Sequence, residues 1–400
     1  MKNLLVVGVD NVAVASSAKR AGYSVYAADY FGDVDLQRIC SECFAMVKQE
    51  KGKSCGRIAS NFKPETFLEM AKVLIKKHGI DGVLLSSGLD DHFGFLHELN
   101  DLTPIVGNSP SIIQKVREKP EFFGELKRLK VPHPETVVVG DVLEAKAATS
   151  KIGYPVVVKP IKGFGGANLR LAQNSSEIER AFSEVSAVSE NVLVQKFIDG
   201  VHASISVLGV NGNVEVLSIN EQLLGLSSVF QHEPFGYCGN IVSLRVAPTI
   251  FEKCKVVAEK IALHFGLKGS NGIDIVISKN GTPYVVEVNP RFQGTLECVE
   301  KVLGINMVEA HINACLHGVS PHVMDVASVF CTRLILYAPK RVSVPNLTVF
   351  QEARDIPVPE SIIEEGEPLC SIVAIGKTRD SSIQKAEGVA KSVYDRLCPA

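Results

Sequence analysis

The sequence lacks the features that mark membrane proteins, secreted proteins and nucleic-acid-binding proteins. Its 42 Lys and Arg residues and 44 Asp and Glu residues give a net charge of -2, so no overall charge attracts it to nucleic acid or to a membrane surface. No apolar run approaches the roughly 20 residues that a membrane-spanning helix requires. The first nine residues are typical of a strand, and no small-residue cleavage site follows them. We therefore expect a cytoplasmic protein whose partners include neither a membrane nor a nucleic acid.

A metal site built on cysteine would lack its fourth ligand. The ten cysteines are scattered along the chain, which is typical of reduced thiols in a large enzyme rather than of a disulfide framework. Cys40, Cys43 and Cys55 could bind zinc or an iron–sulfur cluster, but no fourth Cys or His follows at a usual spacing. His78 or His92 could approach only through the fold. The preferred interpretation is buried cysteines on helices, with a metal site as the alternative.

Four hundred residues can bury more than one core, and the sequence divides into three parts. Residues 1–116 alternate short apolar strands with helices, which predicts a parallel sheet flanked by helices. A G-x-G-x-x-G motif is absent after the first strand, so a dinucleotide site is not expected there. Residues 117–326 mix helices and hairpins, and residues 327–400 form a smaller, strand-rich part. The expected fold class is therefore α/β combined with α+β.

Three oxygen-bearing side chains lie on two strands that are predicted to pair. The Asn-Gly turn at residues 280–281 is a strong hairpin signal. Asp274 on the first strand would then lie beside Glu287 and Asn289, which share one face because strand side chains alternate. Oxygen ligands without Cys or His suit Mg²⁺ that is bound to the phosphates of a nucleotide. The alternative is an acidic residue that merely ends a buried strand.

Basic residues and a glycine-rich segment supply the partners for such phosphates. Arg291 follows Asn289 closely and could pair with a phosphoryl group. Lys159 ends a short apolar strand that leads into the segment 162–168, which contains Gly163, Gly165 and Gly166. Glycines let backbone N–H groups approach phosphate oxygens, because they carry no Cβ and tolerate positive φ. This segment is not a Walker A loop, and a glycine-rich turn without a ligand is the alternative.

The order of these motifs resembles the ATP-grasp superfamily over residues 110–318 or so. Within it, the sequence is most similar in character to carboxylate–amine ligases and to the biotin-carboxylase-like predicted ATP-dependent carboligases of archaea. The resemblance implies an ATP-grasp core (117–326) between an N-terminal Rossmann-like, pre-ATP-grasp lobe (1–116) and a small β-rich C-terminal domain (327–400). It also implies ATP and two Mg²⁺ ions as cofactors, with Mn²⁺ as an alternative ion. A homodimer is compatible with it.

The resemblance assigns roles to individual residues. Lys119 and Lys159 would contact the phosphates together with the glycines, and Arg291 and Arg245 would support phosphoryl transfer. His202 stands where many members place a ribose-binding Glu, and the position of Gln195 is likewise often Glu. The metal ligands would be Asp274, Glu287 and Asn289, and the adenine-contacting hinge would comprise Gln195, Lys196, Phe197 and Ile198.

The implied reaction activates a small carboxylate as an acylphosphate, which an amine then attacks to form an amide while ADP and phosphate are released. One alternative is a biotin-carboxylase-like or purine-pathway-like carboxylase that activates bicarbonate. Biotin carboxylases follow Asn-x-Arg with x-Gln-Val-Glu, whose Glu serves as a base. Thr295 occupies that Glu position here, Glu297 lies two residues on, and no Ala-Met-Lys-Met-like biotin attachment segment is present. The other alternative is a non-catalytic ATP-binding protein.

Three segments are candidates for substrate recognition, although their composition does not identify the acid or the amine. Residues 86–91 follow a strand, where ligands of open α/β sheets bind, but they could simply cap a helix. Residues 222–240 show little periodicity, which favours a substrate-facing lid over a surface excursion. Residues 291–296 form the third segment.

Overall fold

The computed structural model describes residues 1–163, 165–322 and 329–400. Its first part is a parallel four-stranded sheet in the order β3-β2-β1-β4. Leu4 and Val6 of β1 share a core with α1, whereas Leu5 and Val7 face the core that contains residues of α4 and α5. Helices therefore cover both faces, as the alternation of strands and helices predicts. The elements are β1 (Asn3–Gly8), α1 (Val12–Arg20), β2 (Ser24–Asp29), α2 (Val34–Ile39), β3 (Glu42–Ala45), α3 (Ile58–Asn61), α4 (Pro64–His78), β4 (Gly82–Leu85), α5 (Phe93–Leu102) and α6 (Pro110–Arg117).

The second part begins with a small antiparallel sheet in the order β5-β8-β6-β7. Two helices, α8 and α9, pack against it around Val156, Val158, Val192 and Val194. The glycine-rich segment connects β6 to β7 and so projects from one end of this sheet. The elements are α7 (Lys119–Arg128), β5 (Thr136–Val139), α8 (Val142–Ile152), β6 (Val156–Pro160), β7 (Arg170–Ala172), α9 (Ile178–Ser186) and β8 (Val192–Lys196).

A large antiparallel sheet in the order β13-β12-β9-β10-β11-β14-β18-β16 forms the centre of the protein. Helix α10 packs on one face of β9 and β12, where Ile205 and Ile273 are fully buried. The other face carries the polar side chains of the candidate site. The elements up to residue 317 are β9 (Gly200–Val210), β10 (Asn213–Leu224), η1 (Ser227–Val229), β11 (Tyr237–Val242), α10 (Pro248–Phe265), β12 (Gly269–Ser278), β13 (Pro283–Asn289), α11 (Leu296–Leu303) and α12 (Met307–His317).

The third part completes this same sheet, because β14 pairs with β11 and β18 pairs with β14. The predicted boundary at residues 326/327 lies outside the described residues. Helix α13 packs on β18, and β15, β17 and β19 form a separate small sheet. The elements are β14 (Phe330–Tyr337), β15 (Val342–Ser343), η2 (Leu347–Val349), β16 (Ala353–Arg354), β17 (Ile362–Ile363), β18 (Pro368–Gly376), α13 (Arg379–Tyr394) and β19 (Cys398–Pro399).

The predicted fold class is confirmed, while three local predictions need correction. The candidate lid is limited to residues 225–236, which include η1, because β10 and β11 take up both of its ends. The sequence predicts that Arg245 leaves the lid along a strand, but it lies beyond the end of β11. The three clustered cysteines are not on helices: Cys40 follows α2, Cys43 lies in β3, and Cys55 precedes α3.

Two absences concern the described part of the chain only. It contains no group of three or more His, Cys, Asp or Glu residues that could hold a metal ion, so the cysteine metal site receives no support. None of its helices is both long enough and apolar enough to cross a membrane.

Candidate functional site

The hairpin of β12 and β13 brings the three predicted oxygen ligands together. Asp274 lies directly opposite Glu287 in the antiparallel register. Asn289 donates a hydrogen bond from Nδ2 to Asp274 Oδ2 at 3.0 Å. Burial raises the pKa of Asp274, and the bond from Asn289 opposes that rise. Two carboxylates and an amide thus converge on one sheet face, as the hairpin prediction required.

Arg291 is fixed beside these ligands by a residue of the first lobe. Its Nε lies 2.9 Å from Asp90 Oδ2, and its Nη2 donates to Asn289 Oδ1 at 3.3 Å. Nη1 donates to the Phe292 carbonyl oxygen at 2.8 Å. The guanidinium is therefore held in one orientation before any substrate is bound.

Arg117 at the end of α6 is a member of the site that sequence reasoning missed. Its guanidinium donates to both carboxylate oxygens of Asp91, at 2.7 and 2.8 Å, and also to Glu287. Its pair with Arg117 lowers the pKa of Asp91 even though burial acts to raise it. The sequence signal that could have identified Arg117 is its position as a basic residue on the same helix face as the apolar residues Ile113 and Val116, which are buried.

Three buried cations form a positive cluster next to the carboxylates. Arg117, Lys119 and Lys159 are only 4, 4 and 7% exposed. Burial and the two neighbouring cations lower the pKa of Lys119 well below its usual value, and burial with Arg117 lowers that of Lys159 to about 8. Lys119 Nζ lies 3.1 Å from Glu287 Oε1, yet it has no hydrogen-bond partner among the described residues. A cluster of this kind is suited to an anion, which would restore the charge of both lysines.

The glycine-rich segment contacts both the first lobe and the start of β11. The N–H of Gly163 lies 3.3 Å from Asp91 Oδ2 in the first lobe. The carbonyl oxygen of Gly165 accepts a hydrogen bond from the Tyr237 N–H at 3.0 Å. A Cβ on Gly166 would lie 1.8 Å from the Phe235 carbonyl oxygen. The segment therefore packs against the end of the candidate lid, and Gly166 permits this approach.

The predicted hinge residues lie at the end of β8, next to one of the lysines. Lys159 donates from Nζ to Gln195 Oε1 at 2.9 Å, while Lys196 donates to the carbonyl oxygens of Gly153 and Tyr154. Phe197 and Ile198 follow β8. The ring of His202 lies 6.5 Å from that of Phe235. Gln195 is thus hydrogen-bonded to one of the two lysines that are predicted to contact phosphates.

Arg245 is not placed with the other predicted catalytic residue. Its guanidinium carbon lies 4.7 Å from the centre of the Phe330 ring. It lines a groove between α10 and α11, together with Phe251 and Leu303. The prediction relied on sequence position after the lid, and the chain turns away once β11 has ended.

Residues 86–91 supply side chains to the site instead of capping α5. Helix α5 begins after His92, which makes no side-chain capping bond. Asp90 contacts Arg291 and Asp91 contacts Arg117, whereas Ser86 donates to Asn11 Oδ1 at 2.6 Å. The helix-cap interpretation is therefore wrong.

Thr295 and Glu297 are the two residues considered at the position of the catalytic base of biotin carboxylases, and both contact other residues of the chain. Thr295 is buried near Ser206, with 3.5 Å between their hydroxyl oxygens. Glu297 points to Arg354, whose Nη2 and Nε lie 2.8 and 3.1 Å from its oxygens. No carboxylate from this segment therefore reaches the position that Thr295 occupies.

The donor set fits a magnesium nucleotide. The oxygens of Asp274, Glu287 and Asn289 are hard ligands of the kind that Mg²⁺ prefers. Lys119 Nζ is a buried donor without a hydrogen-bond acceptor among the described residues, which suits a phosphate oxygen.

Comparison with known proteins identifies the domain that carries this site. Residues 116–295 match the model of the ATP-grasp domain family. This stretch contains the cations, the glycine-rich segment, the metal-ligand candidates and Arg291. The ATP-grasp assignment that rested on the order of the motifs is therefore confirmed.

Relatives extend the likeness beyond this domain. An uncharacterized protein of Methanocaldococcus jannaschii is 25% identical over 373 residues, which are 92% of this chain and 87% of that protein. The carbamoyl phosphate synthase large chain of Helicobacter pylori is 26% identical over 255 residues, and the match spans only 23% of its length. The biotin carboxylase domain of the Hydrogenobacter thermophilus 2-oxoglutarate carboxylase has the same fold, with a TM-score of 0.76 at 18% identity over 100% of this chain and 90% of that one.

Proposed function

We propose that this protein is an ATP-dependent ligase that phosphorylates a small carboxylate and joins it to an amine. The observation that carries the proposal is the convergence of Asp274, Glu287 and Asn289 with the buried cations and Arg291 on one sheet face. Carboxylates for a metal and cations for phosphates are the two components that phosphoryl transfer from ATP needs.

Each group of residues in the site would have its own role in phosphoryl transfer. Asp274, Glu287 and Asn289 would hold Mg²⁺, which neutralises phosphate charge when it is bound. Lys119 and Lys159 would bind the phosphates of ATP, and the N–H groups of the glycine-rich segment would cover them. Because Asp90 fixes its orientation, Arg291 would stabilise the negative charge that develops on the transferred phosphoryl group.

Two displacements complete the reaction. A carboxylate oxygen of the acid attacks the γ-phosphorus, so that the bond to the ADP oxygen breaks and an acylphosphate forms. The amine nitrogen then attacks the acyl carbon, phosphate leaves with the former carboxylate oxygen, and the nitrogen loses a proton. One ATP, one acid and one amine thus give an amide, ADP and phosphate.

Bicarbonate activation is the second candidate, and it is favoured by the shared fold with the biotin carboxylase domain of Hydrogenobacter thermophilus, which was solved with MgADP and bicarbonate. In the biotin-carboxylase version, a Glu at the position of Thr295 would act as the base. Glu297 cannot replace it here, because both of its oxygens are bound by Arg354. This contact supports the ligase over a biotin-carboxylase-like reaction.

A phosphate-release screen tests the proposal. Small acids, including amino acids, are paired with amines in the presence of Mg-ATP, and bicarbonate is assayed in parallel. Phosphate release that needs both an acid and an amine is the expected result, with the amide identified by mass spectrometry. Release with bicarbonate alone would assign the second function, and Mg-ATP binding without any stimulated turnover would point to the non-catalytic alternative.

A further inference from the structure

A cluster of carboxylates lies where the first lobe meets the third part of the chain. Asp10 follows β1, Asp29 ends the neighbouring strand β2, and Asp355 follows β16. Arg333 of β14 donates from Nη2 to both Asp10 Oδ2 and Asp355 Oδ2, each at 2.7 Å. The carboxyl ends of β1 and β2 form the edge at which open α/β sheets bind ligands.

Two oxygens of this cluster are buried without a donor. Asp29 is only 2% exposed, and its Oδ2 accepts from the N–H groups of Phe31 and Gly32 at 2.8 and 2.7 Å. Asp29 Oδ1 and Asp10 Oδ1 have no hydrogen-bond partner among the described residues. Buried carboxylate oxygens normally receive a donor, since leaving one unsatisfied costs free energy.

The other acids nearby are already used by the fold. Asp33 accepts from Gln49 Nε2 at 2.9 Å. Asp35 accepts from the N–H groups of Asp355 and Ile356, at 2.9 and 3.1 Å. Asp35 thus attaches the first lobe to the third part and Asp33 is bound within the first lobe, whereas Asp10 and Asp29 each retain an oxygen without a donor among the described residues.

The charge of the cluster is not balanced by its own residues. Asp10 and Asp355 share the guanidinium of Arg333, Asp29 accepts from backbone N–H groups, and the guanidinium of Arg354 is bound by Glu297. Burial raises the pKa of Asp29 well above its usual range, and the carboxylates of Asp10 and Asp355 add to the rise. Burial and Asp10 raise the pKa of Asp355 to about 7. A further positive charge among these groups would therefore be stabilised.

Polar side chains connect this cluster with the metal-ligand candidates across one sheet face. Asn220 lies opposite Ser204, which lies opposite Asp274, and Asn240 lies opposite Arg333. The amide oxygens of Asn220 and Asn240 are also buried without a donor among the described residues. The face therefore offers acceptors between the two sites, which suits a donor-rich ligand that spans them.

We propose that Asp10 and Asp29 bind a positively charged amino group of the substrate, one that is separate from the group that reacts. The inference rests on the proposed function, since it names the class of substrate that the same site would take. The substrate would then be a small basic compound, such as a diamine or a diamino acid. Its reacting end would lie near Arg291 and its ammonium group at the ends of β1 and β2.

Calorimetry with matched probes tests this site in the presence of Mg-ADP. The pairs are lysine with norleucine, ornithine with norvaline, and putrescine with butylamine, so that each pair differs by one ammonium group. At least one ammonium-bearing member should bind the wild type about tenfold more tightly than its partner. Asp29→Asn and Asp10→Asn should remove that preference, whereas Asp101→Asn on the exposed side of α5 should retain it.

The outcomes separate this inference from the proposed function. If no pair favours its ammonium-bearing member, or if both substitutions leave the preference unchanged, the inference is wrong. Mg-ADP binding and phosphate release that needs both an acid and an amine would still support the ligase in that case. Asp10 is partly exposed, with 29% side-chain exposure, so Asp10→Asn carries the test if Asp29→Asn does not fold. Retained Mg-ADP binding shows that a variant is folded.

Discussion

The guanidinium of Arg117 donates a hydrogen bond to Glu287, the residue that we assign to metal binding. The same guanidinium is held by both carboxylate oxygens of Asp91. Binding of Mg²⁺ would therefore replace one partner of Glu287, and Asp91 would keep the cation close to the incoming phosphates. Arg117 thereby links the metal ligands, the first lobe and, through Asp91, the glycine-rich segment.

Glu287→Gln should reduce ADP formation by at least about 100-fold, because it removes a full charge from a metal ligand. The fold should survive, since the amide has the same size and its oxygen can still accept from Arg117. Turnover and circular dichroism are measured together. The control is Glu190→Gln, which changes an exposed glutamate. Near wild-type turnover in a folded Glu287→Gln protein would contradict the assignment, and Asp274→Asn should be impaired in the same direction.

Lys159 should make nucleotide affinity dependent on pH. Its pKa is lowered to about 8 in the nucleotide-free protein, and only the charged form attracts phosphate. Affinity for Mg-ADP should therefore be highest below this pH and should fall above it, by up to about tenfold per pH unit. Calorimetry across this range measures the effect. In Lys159→Arg the side chain stays charged across this range, so the fall in Mg-ADP affinity should disappear.

Lys159→Ala should weaken Mg-ATP binding by about tenfold or more at neutral pH, since it removes a charged hydrogen-bond donor. The exposed Lys151→Ala provides the matched control. Unchanged affinity in Lys159→Ala would mean that this lysine does not contact the nucleotide. Lys119→Ala should behave similarly but more mildly.

Gly166→Ala and Gly165→Ala form a matched pair. Both residues have positive φ, at 73° and 65°, so alanine introduces comparable backbone strain at each. Only at Gly166 would the new Cβ meet backbone, the Phe235 carbonyl oxygen. Gly166→Ala should therefore raise the KM for ATP more than Gly165→Ala does. Equal KM values in steady-state assays would show that contact with residues 235–237 is not needed.

Asp91→Asn should destabilise the fold by about 3 kcal/mol, because it breaks a buried ion pair with Arg117. Urea unfolding measures the difference, and Asp101→Asn is the exposed control. The pKa of Asp91 in the folded state lies below the usual value of 3.8. The contribution of this ion pair to the free energy of unfolding is thus complete above pH 3.8, and it is lost as the pH falls through the folded-state pKa of Asp91. A stability difference that persists in strong acid would assign the effect to another contact.

The sequence pattern predicted the structure correctly where residues that are close in sequence are also close in space. The Asn-Gly turn at residues 280–281 set the register of β12 and β13, and side-chain alternation then placed Asp274 beside Glu287. The alternation of strands and helices before residue 117 likewise determined the parallel sheet. The candidate lid was harder, since its two ends pair with each other across residues 225–236 and β11 also pairs with the distant strand β14.

Tertiary structure alone decided which distant charges meet. Arg117, Asp91 and Glu287 come from three separate segments, and nothing in the sequence around each one names the others. The same holds for Asp10, Asp29, Arg333 and Asp355, which belong to different parts of the chain. Hydrogen bonding and charge act over a few ångströms, whereas sequence patterns describe only positions along the chain. The sequence therefore determined the ATP-grasp domain and the metal-ligand candidates, and the packing of the lobes determined how their charges are paired.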